Sequence, residues 1–317
     1  MSQTRPLPRP GSLSAWMLGI RPKTLSASAM PVVVGAACAA AGSAYLYSSP
    51  EFEWARVAAA LVVGVGIQIG TNLVNDVADH FKGADTHERL GPPRVTNLGL
   101  LSPKAVVGGA LLSFGAAALA GLWLASVSSW MVLIPGAVAL ACGVLYTVGP
   151  VSIAYLGLGE IFVLGFFGVF ATAGTTFVLT ERWTALAMVA GVAMGLLATG
   201  ILEANNIRDI PTDTPAGKKT LAVRLGDRNA RHLYAAVIVV AFIAGILAGP
   251  LPWTGLVLLC APLAWKAVGS VLEGAEGREL IPVLQMNSLL EVAFGVLFAV
   301  AVIVGTESLA GTSGIIK

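Results

Sequence analysis

Long apolar runs separated by short polar intervals organise the chain. They extend from about Leu25 to Tyr47, from Trp54 to Asp79, and near 103–126, 129–147, 156–179, 183–208, 228–249, 253–271 and 284–305. Each approaches the ~20 residues that a helix needs to cross ~30 Å of hydrocarbon. A bilayer leaves the backbone no partner but itself, which favours helices over open strands. The pattern predicts an all-α polytopic membrane protein with nine transmembrane helices. It divides the chain into an N-terminal arm and interfacial segment around Trp16 (1–23), a single helical domain (24–305) and a C-terminal tail (306–317). The second run turns polar near its end, at Gln68, Asn72, Asn75 and Asp76, as expected where a helix lines a wet cavity.

Composition agrees. Of 317 residues, 56% are hydrophobic and 11% charged, against about 25% charged in a soluble domain. The net charge of +2 carries little information until the charges are placed along the chain. With nine alternating spans, 16 of the 19 Lys and Arg fall on one side, and only Arg56, Arg182 and Lys317 on the other. Lys and Arg collect in cytoplasmic loops, so the expected topology is N-terminus inside and C-terminus outside, in the cytoplasmic (inner) membrane. Cys38, Cys142 and Cys260 lie far apart in apolar runs and suggest neither disulfides nor a zinc site. The N-terminus lacks the short apolar core of a cleaved signal peptide.

Two polar clusters interrupt this background. Asn72, Asp76 and Asp79 follow the spacing i, i+4, i+7, and Asn205, Asp209 and Asp213 follow i, i+4, i+8, so each trio shares one helix face. Each cluster ends a long apolar run on the side expected to be cytoplasmic, and basic residues follow: Lys82, Arg89 and Arg94 after the first, Lys218, Lys219 and Arg224 after the second. The recurrence of Asn-x3-Asp, with Asp76 and Asp209 separated by 133 residues, reads as two similar helical units facing one central cavity.

An ionised Asp at membrane depth costs roughly 2.5 to 3.5 kcal/mol on insertion scales. A hard divalent cation removes that cost, and Mg²⁺ commonly joins one or two carboxylates to substrate phosphate oxygens. Asp76, Asp79, Asp209 and Asp213, with Asp85 at the rim, are the candidate metal ligands. Asn72 and Asn205 lie one turn deeper, where they can hydrogen-bond carboxylate or phosphate. Lys82, Arg94, Lys218, Lys219 and Arg224 are placed to neutralise a leaving diphosphate. Arg21, at the start of the first span, is a further candidate. Tyr146, Tyr155 and Glu160 bracket a Gly/Pro-containing interval without Lys or Arg, a pattern suited to contact with a ligand. Glu203 and Glu291 are intramembrane acids and therefore functional candidates. His80 lies inside the first cluster, whereas His87 and His232 read as loop residues.

The stretch Asn75-Asp76-Val77-Ala78-Asp79-His80-Phe81-Lys82-Gly83-Ala84-Asp85, followed by Arg89 to Arg94, resembles the first aspartate-rich motif of the UbiA superfamily of membrane prenyltransferases. Asn205-Asn206-Ile207-Arg208-Asp209 through Asp213 and Gly217-Lys218-Lys219 is similar to the second. With Leu145-Tyr146-Thr147, Ala154-Tyr155 and Gly159-Glu160, the motifs are closest in form to the branch that prenylates 1,4-dihydroxy-2-naphthoate. The resemblance implies nine helices around a central cavity open to the cytoplasm. It implies Mg²⁺-dependent ionisation of a polyprenyl diphosphate, attack by the naphthoate ring and loss of CO₂, giving demethylmenaquinone. Asp76, Asp79, Asp209, Asp213, Lys82 and Tyr146 would be catalytic, and Arg21, Tyr155 and Glu160 would meet the acceptor. The implied partners are a polyprenyl diphosphate, an aromatic naphthoate acceptor and the lipid bilayer, with no nucleic acid. Asp85, six residues after Asp79, follows the naphthoate branch in its spacing.

Within the superfamily, the runners-up are acceptors such as 1,4-dihydroxy-6-naphthoate, 4-hydroxybenzoate or homogentisate. A secondary transporter would place its acids near mid-span, whereas the four central aspartates cluster at span ends. The Asp-x2-Asp-Gly-x2-Ala-Arg signature of CDP-alcohol phosphotransferases is absent.

Overall fold

The computed structural model describes residues 7–46, 53–82, 91, 94–145 and 156–313, which are helical with short connections and, among these residues, no strand. The helices are α1 (Leu13–Ile20), α2 (Ser26–Leu46), α3 (Trp54–Lys82), α4 (Pro103–Val127), α5 (Leu133–Leu145), α6 (Gly159–Phe162), α7 (Ala171–Thr180), α8 (Ala185–Asp213), α9 (Leu221–Leu225), α10 (Asp227–Ala248), α11 (Ala261–Leu272) and α12 (Leu280–Ser313). A π-helical segment, Val163–Phe170, joins α6 to α7.

Seven helical stretches among the described residues are long and apolar enough to cross a membrane. An eighth arises if Leu13–Thr24 and Ser26–Gly42, bent by 54° to one another, are taken together. The run expected near 129–147 forms the shorter apolar helix Trp130–Leu145. At 1.5 Å per residue such a helix spans only ~24 Å, so length and composition alone support seven or eight spans rather than nine.

The segment read as an arm and interfacial stretch contains α1. Ser12 caps it by accepting from the Ala15 amide, and Arg21 ends it in a left-handed conformation (φ 58°) whose N–H returns to the Met17 carbonyl. Ala15 is fully buried, and the Trp16 ring packs on Gly109 of α4. Here α1 and α4 close over Leu73 and Val77 of α3 and Val95 of the following loop.

The largest apolar core joins α2, α8, α10, α11 and α12, with Met194, Leu197, Tyr234, Leu290 and Phe294 fully or almost fully buried. Tyr234 donates to Asn287, whose amide donates to the Gly200 carbonyl, linking α10, α12 and α8 through a satisfied polar chain. At the opposite end of the bundle, Arg56 donates to the Val178 carbonyl, setting the start of α3 beside the end of α7.

Close helix approach depends on glycine, as is common where lipid supplies no hydrophobic drive between helices. A Cβ on Gly168 of the π segment would lie 2.4 Å from both the Gly191 carbonyl oxygen and Gly195 Cα of α8. A Cβ on Gly195 would meet the Leu164 carbonyl oxygen at 2.6 Å. These are backbone atoms and cannot rotate aside. Gly168→Val is therefore expected to destabilise the protein by at least about 1–3 kcal/mol, seen as a lower thermal midpoint in detergent. Gly115→Ala, in α4 with open space around it, should leave the midpoint unchanged or slightly raised.

Candidate active site

Both aspartate clusters sit near the C-terminal ends of 29-residue helices, α3 and α8. The carboxylates meet different partners. Asp76 is fully buried. Its oxygens accept from the amides of Val95 (2.8 Å) and Thr96 (3.1 Å) and from the Thr96 hydroxyl. The spacing read from sequence places Asp76 among metal ligands; in the structure its carboxylate accepts three hydrogen bonds from the loop after the first motif. Asp79, one turn later, forms an ion pair with the buried Arg94 guanidinium, and His80 meets the Asn97 amide oxygen. Three side chains on one face of α3 thus grip the four residues 94–97.

The second cluster is arranged differently. Arg208, almost wholly buried, wraps back to give Asp209 two hydrogen bonds of 2.7 Å. Asp213 pairs with Lys218 at 3.0 Å. Lys219 is exposed, and its carbonyl accepts from Arg224 Nε at 3.1 Å, while another guanidinium N–H of Arg224 donates to the Leu156 carbonyl at 3.0 Å. Gly157, at φ +65°, fits against this contact: a Cβ there would lie 2.8 Å from the Lys219 oxygen. Arg224 therefore pins the chain entering α6 beside the second motif.

Deeper in the bundle, Glu160 is buried and accepts from Asn206 at 2.9 Å. Glu203, one turn before Asn206, lies within hydrogen-bonding and electrostatic reach of Glu160. Asn205 is partly buried. On the other side, the buried Asn72 amide donates to the Ile20 carbonyl (2.9 Å) and Thr24 hydroxyl (3.2 Å), so it binds the α1–α2 connection that carries Arg21. Asp85, Arg89, Tyr146 and Tyr155 lie outside the described residues, and Lys82 ends α3 without a described side chain.

Among the described residues, no three His, Cys, Asp or Glu side chains converge in a way that could hold a metal ion. The donor chemistry at Asp79, Asp209 and Asp213 nevertheless suits a hard cation. Each offers carboxylate oxygens whose present partner is a long, rotatable basic side chain. Asp76 does not fit that description, because two of its three donors are backbone amides.

Below this polar layer lies an apolar cavity of about 470 Å³, bounded by residues including Val32, Ala60, Leu133, Phe170 and Trp183. A smaller one of about 100 Å³ shares Gly64, Ile67, Ala139, Phe166 and Ala171 with it and reaches Ser28, Thr71 and Phe162. Thr71 precedes Asn72 in α3, so the smaller cavity is the one nearer the first motif, and the shared residues set the larger beside it as an apolar passage in two adjoining chambers. Its wall carries Phe162, Phe166 and Phe170, stacked with ring centroids 5.9 and 5.5 Å apart. A more open pocket of about 850 Å³, lined by Lys266, Glu273 and Glu279 among others, contains no motif residue.

Sequence reasoning missed Thr96, Asn97 and Arg208. Thr96 and Asn97 carry no motif signal of their own. Arg208 stands in the second motif beside Asp209, but neighbouring helix positions point ~100° apart, which hides their pairing.

The sequence profile of the UbiA prenyltransferase family matches residues 29–278. A 1,4-dihydroxy-2-naphthoate octaprenyltransferase of Mycobacterium tuberculosis is 39% identical over 298 residues, covering 94% of this chain and 99% of the relative. The Escherichia coli protein of the same name is 33% identical, covering 87% and 89%. Among solved structures, the apo UbiA homolog from Aeropyrum pernix aligns with a TM-score of 0.65 at 17% identity, covering 87% of this chain and 97% of that one. A UbiA homolog from Archaeoglobus fulgidus bound to GPP and Mg²⁺ aligns at 0.61 and 14%, covering 91% and 99%. These structures share the fold, and the profile together with the near-full-length relatives places the chain in the UbiA prenyltransferase family.

Proposed function

We propose that this protein transfers a polyprenyl group from polyprenyl diphosphate to 1,4-dihydroxy-2-naphthoate with loss of CO₂. The observation that carries the reading is the union of near-full-length identity to enzymes of that name with the site itself: acid–base pairs above an apolar passage.

The passage suits an isoprenoid tail, and the polar layer suits its diphosphate. Arg94, Arg208 and Lys218 are held by aspartates in the resting protein, so each motif keeps a cation for the diphosphate in place before it arrives. Lys82, Lys219 and Arg224 complete the basic rim, and Asn205 adds a neutral amide for hydrogen bonding. Asp79 in the first motif, and Asp209 and Asp213 in the second, would supply carboxylate oxygens to Mg²⁺, which when bound would neutralise the leaving diphosphate. The C1–O bond breaks with its electron pair going to the diphosphate. The naphthoate ring then forms the new C–C bond at its carboxyl-bearing carbon, and CO₂ departs, leaving its bonding pair in the ring. The product is the quinol form of demethylmenaquinone. Glu160, hydrogen-bonded by Asn206, binds the acceptor with Arg21 and Tyr155, and Tyr146 takes a catalytic role. Excluding water protects the allylic cation from hydrolysis.

In this reading the short Trp130–Leu145 helix and the bent α1–α2 pair complete nine crossings. The uneven split of Lys and Arg supports a cytoplasmic position for both motifs at the inner membrane.

Asp76 takes a positioning role, holding the loop that carries Arg94. Asp76→Ala should leave the amides of Val95 and Thr96 without partners, at about 1–3 kcal/mol per buried group. Hydrogen exchange at 94–97 should rise and the thermal midpoint fall; unchanged exchange would remove the role. Asp209→Asn removes the counter-charge of the buried Arg208, so the midpoint should fall, and Mg²⁺-dependent turnover, measured well below that midpoint, should drop at least ~100-fold.

The reaction itself is tested by incubating purified protein with Mg²⁺, geranyl diphosphate and 1,4-dihydroxy-2-naphthoate. The expected product mass lacks the carboxyl group. A prenylated product that retains it, or turnover only with 4-hydroxybenzoate or homogentisate, would overturn the assignment.

A further inference from the structure

The reaction creates a positive charge on carbon at a place where the protein offers no carboxylate: the described residues lining the two apolar cavities include no charged side chain. Near the motif end, the smaller cavity is bounded by the hydroxyls of Ser28 and Thr71, the Cys142 thiol and the rings of Phe162, Phe166 and Phe167. Phe162 is the ring nearest in sequence to the polar layer. It follows by two residues Glu160, which is tied to Asn206 of the second motif, and it shares the cavity with Thr71, next to Asn72. From Thr71 to Asp79 is ~12 Å along α3, a separation that a diphosphate and the first carbons of its prenyl chain can span.

The backbone at this point is unusual. Val163–Phe170 is π-helical, a conformation that occurs mostly as short insertions and often at functional sites. Phe162, at the end of α6, and Phe166 and Phe170 within the segment are spaced four apart and form a stacked column with interplanar angles of 16° and 26°. Phe162 and Phe166 line the smaller cavity, and Phe166 and Phe170 the larger. The column follows the passage from its polar mouth into its apolar depth.

Resting on the function proposed above, we infer that Phe162 is a catalytic residue whose ring stabilises the allylic cation, with Phe166 and Phe170 guiding the remainder of the chain. As the C1–O bond breaks, positive charge spreads over C1 and C3 of the first isoprene unit. The ring quadrupole attracts it, and no proton or electron is exchanged with the ring. The interaction is stronger with the cation than with the neutral substrate, so it acts on kcat rather than on binding.

The test replaces Phe162 in the full-length protein with phenylalanines fluorinated at one, two and three ring positions, which weakens the π face at nearly constant shape. Geranyl diphosphate and 1,4-dihydroxy-2-naphthoate are the substrates. kcat is expected to fall stepwise, and Phe162→Leu to lose about 10-fold. KM for both substrates, and affinity for the ionisation-resistant thiolodiphosphate analogue of geranyl diphosphate, should stay within about 3-fold. Phe162→Trp should recover most of the kcat lost in the leucine variant. A flat kcat across the fluorinated series, or losses confined to KM and analogue affinity, would overturn the inference and leave Phe162 as cavity wall. Turnover by the wild type sustains the functional reading in either case. A wild type that makes no decarboxylated product overturns both.

Discussion

A carboxylate at the end of a membrane-length helix has to be neutralised or hydrogen-bonded, and the rest of this site follows from how each aspartate meets that demand. Asp79, Asp209 and Asp213 take Arg94, Arg208 and Lys218, and Asp76 takes two backbone amides and a hydroxyl. The partners of the first motif come from a loop, so satisfying the acids also folds that loop. Removing one member of a buried pair leaves an uncompensated charge and commonly costs 3–5 kcal/mol, so Asp79 and Arg94 depend on one another for their place at the site. The two motifs look alike in sequence and solve the problem differently: the first recruits a distant turn, the second its own neighbours.

Much of this was legible in the chain. A bilayer imposes length and apolarity on each crossing, so α3, α4, α8, α10 and α12 stand where the hydrophobic runs put them. The spacing of Asn72, Asp76 and Asp79 correctly placed them on one face, and the flanking Arg94 and Lys218 were found beside the acids. What the spacing does not carry is the identity of the partner. Asp76 and Thr96 are 20 positions apart, and Glu160 and Asn206 46 positions apart. Neither residue of either pair announces the other. The π segment was equally hidden, because an α-helix and a π-helix present the same apolar letters. The bend after Thr24 and the shortness of Trp130–Leu145 escaped for a related reason: composition gives the extent of an apolar run, and not where its backbone turns.

The contact of Gly168 with Gly191 and Gly195 has a consequence for how the site changes over evolutionary time. It brings two main chains together with no side chain between them, so the aromatic wall and the helix bearing the second motif keep their separation whatever residues surround them. The pocket around this ruler is free to be resculpted, while the offset between headgroup and hydrocarbon stays constant. New tails and new rings can then be accommodated by exchanging side chains on a scaffold whose internal yardstick does not move.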